Sequence, residues 1–427
     1  MTLHRLFWRP AALGNLMLAN LAAGAQASEQ NVVAAPRATP SETGIPPEDL
    51  ALLGRVIDEI SREYVDGKSS HDLMLVALRD MVKSLDSHSE LIENVTPQAL
   101  GDAVRGEFAG IGVELEIQDE LPVVVRALRD SPAERAGLGA GDRIEAVNGQ
   151  PMQKLSIDDV IAAIKGPPRS DVELRVRRAA HAQVEMLHLE RQIVRFHTVD
   201  VAAEDSRAVV RVSEFLDGTP RELVEELARQ PPETLLHGVV LDFRGNPGGV
   251  VDAAVRFASA FLPPNTLVIT AHGRPGTPVQ PYMTSELFDI RGPDGQRTPL
   301  IETLREIPLV VIVDQQTASS AEIVAGALQD HHRARIVGCS RSLGKGTIQS
   351  IVPLSNRYAI KLTTARFHTP QGRVLDGAGV MPDTNPGATR EACTADPQIA
   401  LTAARHELQR AATAATHPPT LAPSGRL

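Results

Sequence analysis

Apolar residues recur at Leu53, Val56, Ile57 and Ile60, and again at Met74, Leu78, Met81 and Leu85, the spacing of one face of an amphipathic helix. The Asp66-Gly67 turn separates the two runs, so a small helical segment is expected over 48–100, ending near Ser84-Leu85-Asp86-Ser87-His88. The period then changes to two. Val113-Glu114-Leu115-Glu116-Ile117 and Val172-Glu173-Leu174-Arg175-Val176 alternate as half-buried strands do, and predict a compact β-rich module over 101–190. From 207 onward apolar strands at 209–212, 238–243, 309–313 and 334–338 alternate with helical runs at 220–228, 251–262 and 321–328. That alternation predicts an α/β layer with a largely parallel sheet, here bounded as 191–385. The Gly- and Pro-rich stretch 272–306 reads as a long loop or flap, and a strand pair is expected at 351–353 and 359–363. A helix over 386–412 and a flexible tail over 413–427 complete the chain.

Composition narrows the picture. Hydrophobic residues at 42% and charged residues at 22% are ordinary globular usage. The 43 Lys and Arg against 53 Asp and Glu give a net charge of -10 with no basic cluster, which argues against nucleic acid as a partner. At the start, Arg5 and Arg9 precede an apolar run and the small-x-small site Ala25-Gln26-Ala27, the pattern of a cleaved export signal over 1–27. The run is shorter than the roughly 20 residues that span a bilayer. Residues 28–47, with Pro36, Pro40, Pro46 and Pro47, read as a linker. Export permits disulfides, and the only two cysteines, Cys339 and Cys393, leave both a bridge and two free thiols open. No His-Glu-x-x-His motif or Cys/His cluster suggests a metal, and no cofactor is expected.

Four stretches carry candidate chemistry. In Phe108-Ala109-Gly110-Ile111-Gly112, glycines let successive backbone N–H groups converge on a carboxylate beside a strand edge that can pair with a peptide. In Asn246-Pro247-Gly248-Gly249, at a strand-to-helix turn, paired glycines can present N–H groups to a developing oxyanion, although an ordinary tight turn has the same sequence. Ser319-x-x-Glu322 is a capping box, and a serine held there stands beside helix N-terminal amides that stabilise negative charge. Lys345, between Gly344 and Gly346, can serve as the base for a serine only if burial brings its pKa from about 10.4 towards neutrality. The Gly-Lys-Gly context lacks the features of a phosphate-binding loop. Asp330 reads as a helix-terminal charge and His331-His332 as solvated.

These stretches, in this order, resemble the carboxy-terminal processing proteases, or tail-specific proteases, over about residues 50–385. The likeness includes Tyr64-Val65-Asp66, the turn at 84–89, Asn246-Pro247-Gly248-Gly249, Ser319 with Glu322, Gln329-Asp330-His331, Gly344-Lys345-Gly346 with Gln349, and the run from Lys361 to Arg366. The resemblance implies a multidomain α/β chain: an N-terminal helical segment, a PDZ module, and a ClpP/crotonase-like protease core. It implies Ser319 as nucleophile, Lys345 as general base and Gln349 as the residue that positions the lysine. The oxyanion donors would be a glycine of Gly248-Gly249 and the amide of Ser320, and residues 108–112 would bind the substrate's C-terminus. It further implies protein substrates with unstructured C-terminal tails, an adaptor protein as a further partner, a homodimer, and a periplasmic or loosely membrane-associated location. The competing reading is a catalytically silent, PDZ-bearing adaptor. Two departures stand out: Ser320 is a rival nucleophile, and the stretch from Gly338 to Lys345 is one residue longer than usual, with Leu343 where an aromatic is common.

Overall fold

A computed structural model of the chain describes residues 44–285 and 300–416, apart from positions 182, 205, 236 and 356. The expected export signal, most of the linker, the tip of the expected flap and the tail beyond 416 lie outside the described residues. The chain divides into two compact units, one containing residues 44–97 and Gln349–Thr364, the other Gln98–Ile348 and residues 365–416.

In the smaller unit, helices Pro47–Glu63 and Ser70–Lys83 form where the helical periodicity places them. Pro47 opens the first helix, where its missing N–H is no loss, and Ser69 caps the second by accepting from Asp72 N at 3.0 Å. Of the expected apolar face of the first helix only Ile57 is buried, while Val56 and Ile60 remain exposed. The strand Glu90–Glu93 pairs antiparallel with Tyr358–His368, Glu90 opposite Lys361. The fully buried Lys361 ammonium meets Glu90 at 2.7 Å, which meets the requirement that a buried charge be paired. The turn Ser84-Leu85-Asp86-Ser87-His88-Ser89 is organised by Asp86. Burial pushes its carboxyl up, but the N–H groups of His88 and Ser89 and the Ser89 hydroxyl outweigh this and hold it below the ordinary value.

In the larger unit, the β-rich module is a six-stranded sheet in the order 113–118, 121–127, 143–147, 171–177, 184–190, with Gln150–Pro151 paired to the third strand. Its core joins alternate residues of these strands, Val113, Leu115, Val172, Leu174 and Val176, to Val160 and Ile164 of the helix Ile157–Ile164. A short ladder of Glu107–Gly110 with Gln192–Arg195 closes the module at its two ends.

A five-stranded sheet follows. Val199–Glu204 runs antiparallel to Arg207–Val212, and Val239–Asp242, Leu309–Ile312 and Arg335–Val337 continue it in parallel. The middle strands are buried on both faces, which is why they read as unbroken apolar runs. Helices Thr219–Ala228, Val251–Ser259 and Ser320–Asp330 occupy the expected places. Phe215, Phe243 and Phe257 pack edge to face, with centroids 5.3 to 6.1 Å apart, beneath the loops that leave this sheet.

Two expectations change. The 272–306 stretch is not all loop, because Gln280–Met283 pairs antiparallel with Leu267–His272 and Leu300–Glu306 is helical. The expected helix over 386–412 is two, Arg390–Ala395 and Gln398–Thr416, because Pro397 cannot continue a helix from Asp396. Asp330 ends the helix Ser320–Asp330, where it is buried and paired with Arg373. The open cysteine question resolves to a bridge: Cys339 is bonded to Cys393, tying the loop after Arg335–Val337 to the helix Arg390–Ala395.

Closing a loop of 54 residues restricts the unfolded chain, so replacing Cys393 by serine is expected to lower stability by about 2–4 kcal/mol. Denaturant melts of the oxidised wild type and Cys393→Ser read this directly, and equal midpoints would show that the bridge contributes nothing.

Candidate active site

Two loops leave neighbouring parallel strands at their C-terminal ends, where open α/β sheets place their ligands. The first follows Val239–Asp242 and runs through Asn246-Pro247-Gly248-Gly249, and the second follows Leu309–Ile312 and leads to Ser319. Asn246, fully buried, binds them together. Its Nδ2 donates to Val212 O at 2.9 Å, its Oδ1 accepts from Gly248 N at 2.8 Å, and its carbonyl accepts from Ala318 N at 2.9 Å. Asp314 does the same from the other side, its Oδ1 accepting from the amides of Gly245, Gln316 and Thr317. Thr317 Oγ1 donates to Phe243 O at 2.8 Å.

Ser319 sits at φ 52°, ψ -114°, at the N-cap of the helix Ser320–Asp330. A non-glycine residue there costs roughly 1–3 kcal/mol and persists only where the surroundings over-determine it. They do so here: Ser319 N donates to Glu322 Oε2 at 2.7 Å, and Ser319 O accepts from Ile323 N at 2.8 Å. The rival Ser320 is fully buried with its hydroxyl donated to Gly249 O at 2.9 Å, so that oxygen is already committed.

Glu322 reaches further than a capping box. Its Oε2, which holds Ser319 N, also accepts Lys345 N at 2.8 Å, while Oε1 accepts Gly344 N at 2.7 Å and the Ser342 hydroxyl. One carboxylate oxygen therefore anchors the amides of both Ser319 and Lys345. Glu322 is fully buried, and burial pushes its carboxyl up despite the four donors that favour its ionised form. All four partners point hydrogens at it, so the arrangement matches a carboxylate, not a carboxylic acid.

Lys345 is 8% exposed, which meets the burial required of a lysine base. Its glycine neighbour Gly346 packs so closely on the turn at Asp376 that a Cβ would stand 2.4 Å from Asp376 N, leaving no room for any other residue. In the loop before Lys345, Arg341 and Leu343 are exposed and Ser342 is buried. Gln349, four residues further, is buried in the strand Thr347–Pro353 and its Nε2 donates to Thr363 Oγ1 at 3.2 Å.

Of the two glycine amides expected to face an oxyanion, that of Gly248 is donated to Asn246 Oδ1. Among the described residues the amides of Gly249 and Ser320 have no such acceptor. Gly249, at φ 141°, bridges Phe215, and a Cβ would lie 2.0 Å from Phe215 O. In the β-rich module, the end of the strand Glu107–Gly110 and the two residues after it face the helix Ile157–Ile164 across an apolar pocket lined by Phe108, Ile111, Leu115, Ile161 and Ile164. The described residues hold no cluster of three or more potential metal ligands. No helix among them is long and apolar enough to cross a membrane.

Residues 206–385 match peptidase family S41 and residues 123–178 match the PDZ domain. A carboxy-terminal-processing protease of Bartonella bacilliformis is 32% identical over 339 residues, 79% of this chain and 74% of that one. The carboxyl-terminal-processing protease of Synechocystis is 34% identical over 72% of this chain and 69% of its own. This chain belongs to that family. It is a serine-type peptidase with a PDZ module, as the resemblance implied. A solved photosystem II D1 C-terminal processing protease is 26% identical, covering 84% of this chain and 98% of its own with a TM-score of 0.44.

Sequence reasoning marked Glu322 only as a cap and assigned no role to Asn246, Asp314 or Ser342. The Asn-Pro-Gly-Gly motif was the available signal for Asn246. Asp314 and Ser342 had none, because their partners are distant in sequence.

Glu322→Gln keeps the shape but turns an NH2 towards donors. The expected result is a kcat about 100-fold lower with KM within about twofold, since a small displacement of reacting groups costs that much. Peptide kinetics beside a thermal melt test it, and unchanged kcat in a folded variant would refute the coupling.

Proposed function

We propose that this chain hydrolyses exported proteins near their C-termini through a Ser319/Lys345 dyad. The observation that carries this reading is the shared anchor of Ser319 N and Lys345 N on Glu322 Oε2. In the proposed sequence the neutral Lys345 Nζ takes the proton of Ser319 Oγ as that oxygen attacks the scissile carbonyl. The amides of Gly249 and Ser320 receive the oxyanion. Protonated Lys345 then delivers its proton to the leaving amine, and a water deprotonated by the lysine releases the acyl group. Gln349 positions the lysine, and residues 108–112 of the PDZ module hold the substrate's terminal carboxylate. Export through the 1–27 signal, action in the periplasm, and assembly as a homodimer, with an adaptor delivering substrates, belong to the same reading.

Ser319→Ala and Lys345→Ala are each expected to abolish hydrolysis while the fold persists, because residues acting as one unit fail together. Mass spectrometry of new C-termini, after the purified mature protein is mixed with an exported proteome, reads this out with Ser319→Ala as control. Activity retained by Lys345→Ala would overturn the dyad, and an inert wild type would favour a silent adaptor.

Because only the neutral amine accepts a proton, kcat/KM on an unstructured peptide is expected to rise with pH as Lys345 deprotonates. A profile that followed a histidine and was flat above about pH 7 would count against lysine.

A further inference from the structure

Gln349 is held by a partner that is itself held from a turn distant in the chain. Its Nε2 donates to Thr363 Oγ1 at 3.2 Å, between the paired strands Thr347–Pro353 and Tyr358–His368. Thr363 N donates to Ser89 Oγ at 3.2 Å, and the buried Ser89 hydroxyl donates to Asp86 Oδ2 at 2.9 Å. All four residues belong to the smaller unit. Asp86 Oδ1 accepts the amides of His88 and Ser89, both at 2.7 Å. One oxygen therefore closes the turn at 84–89, while the other serves Ser89, whose own oxygen holds the strand Tyr358–His368. Burial raises the Asp86 carboxyl, and its hydrogen bonds, one of them with the Thr363 side chain, outweigh that rise. The direction of every bond follows from this end of the chain. An ionised carboxylate only accepts, so the hydroxyl hydrogens of Ser89 and Thr363 are both drawn towards Asp86. Thr363 Oγ1 is left with lone pairs for Gln349, which must then present its Nε2. The Gln349 Oε1, the atom able to accept from an amine, is thereby turned away from Thr363 on the other branch of the amide. An uncharged residue in place of Asp86 would let the Thr363 hydroxyl rotate and the amide flip.

We propose that Asp86 is a positioning residue for the base, fixing through Ser89 and Thr363 which end of the Gln349 amide is offered to Lys345. The proposal rests on the reading that Gln349 positions Lys345, and names what orients Gln349 itself. A carbonyl oxygen offered to the lysine accepts one of its hydrogens and leaves the amine lone pair for the serine proton. An amide NH2 turned there would donate to that lone pair instead. Loss of the Asp86 charge therefore has a definite sign. The flipped amide favours the neutral amine, which lowers the lysine pKa, and at the same time occupies the electrons that must take the proton. The rate falls while its rise with pH begins earlier.

Values of kcat and KM on an unstructured peptide, measured across pH with the mature protein and beside thermal melts, test this. Asp86→Asn is expected to lower kcat about tenfold with KM within about twofold, and to move the rise of kcat/KM about half a pH unit lower. Thr363→Val removes the hydroxyl and keeps the N–H for Ser89, and is expected to do the same. Thr363→Ser is expected to restore the wild-type profile, and the double variant Asp86→Asn/Thr363→Val to lose no more than either single one. Should Asp86→Asn fail to fold, the two Thr363 variants decide. A pH profile unmoved in Thr363→Val, whatever its melting temperature, would mean that Asp86 only closes its turn, and overturns the proposal. Gln349→Met with wild-type kcat and profile would instead remove the reading of Gln349, and Asp86's role with it.

Discussion

Everything at the active site depends on a buried carboxylate that has no route to water. Glu322 must find all its hydrogen-bond donors inside the protein, and it finds them on two separate loops: Ser319 N on its own helix start, and Ser342 Oγ, Gly344 N and Lys345 N on the loop after Arg335–Val337. A charged acceptor left without one of these donors would cost more than an ordinary lost hydrogen bond. Neither loop can therefore move alone without exposing that cost. A charge that is expensive to bury thus becomes the means of holding Ser319 and Lys345 in register.

The second constraint is steric. Gly249 passes so close to the Phe215 backbone that the two form a bridge, with Phe215 N donating to Gly248 O and Val250 N to Phe215 O, both at 2.8 Å. Those bonds turn the Gly248 and Val250 peptide groups towards Phe215. The alternation of backbone direction along an extended segment then sends the intervening Gly249 groups the opposite way, and Gly249 O meets the Ser320 hydroxyl there. The Phe215, Phe243 and Phe257 cluster fixes the platform beneath. Packing, not hydrogen bonding, sets the depth of the loop.

What could be read in advance divides along the same line. Periodicity located the parallel strands and their helices because each buries a continuous or periodic face, a local property of the sequence. The capping pair Ser319 and Glu322 was visible because its partners are three residues apart. The bond from Glu322 to Lys345 spans 23 positions, and that from Asn246 to Val212 spans 34. No local pattern reports either. The same limit applies to Cys339 and Cys393, whose pairing depends on where the helix Arg390–Ala395 lies, and to the short strand Gln280–Met283, which exists because Leu267–His272 offers it an edge.

Two adjacent serines are held in different ways. Ser320 is the first residue of a regular helix, and its hydroxyl completes the junction with Gly249. Removing that hydrogen would unmake a bond that shapes the loop at Gly249. Ser319 lies one residue earlier, in a backbone conformation that a side chain ordinarily avoids, and the same Glu322 oxygen that holds its amide holds the amide of Lys345. Strain is tolerated at the residue whose placement matters most, and relieved at its neighbour, whose task is to stay where it is.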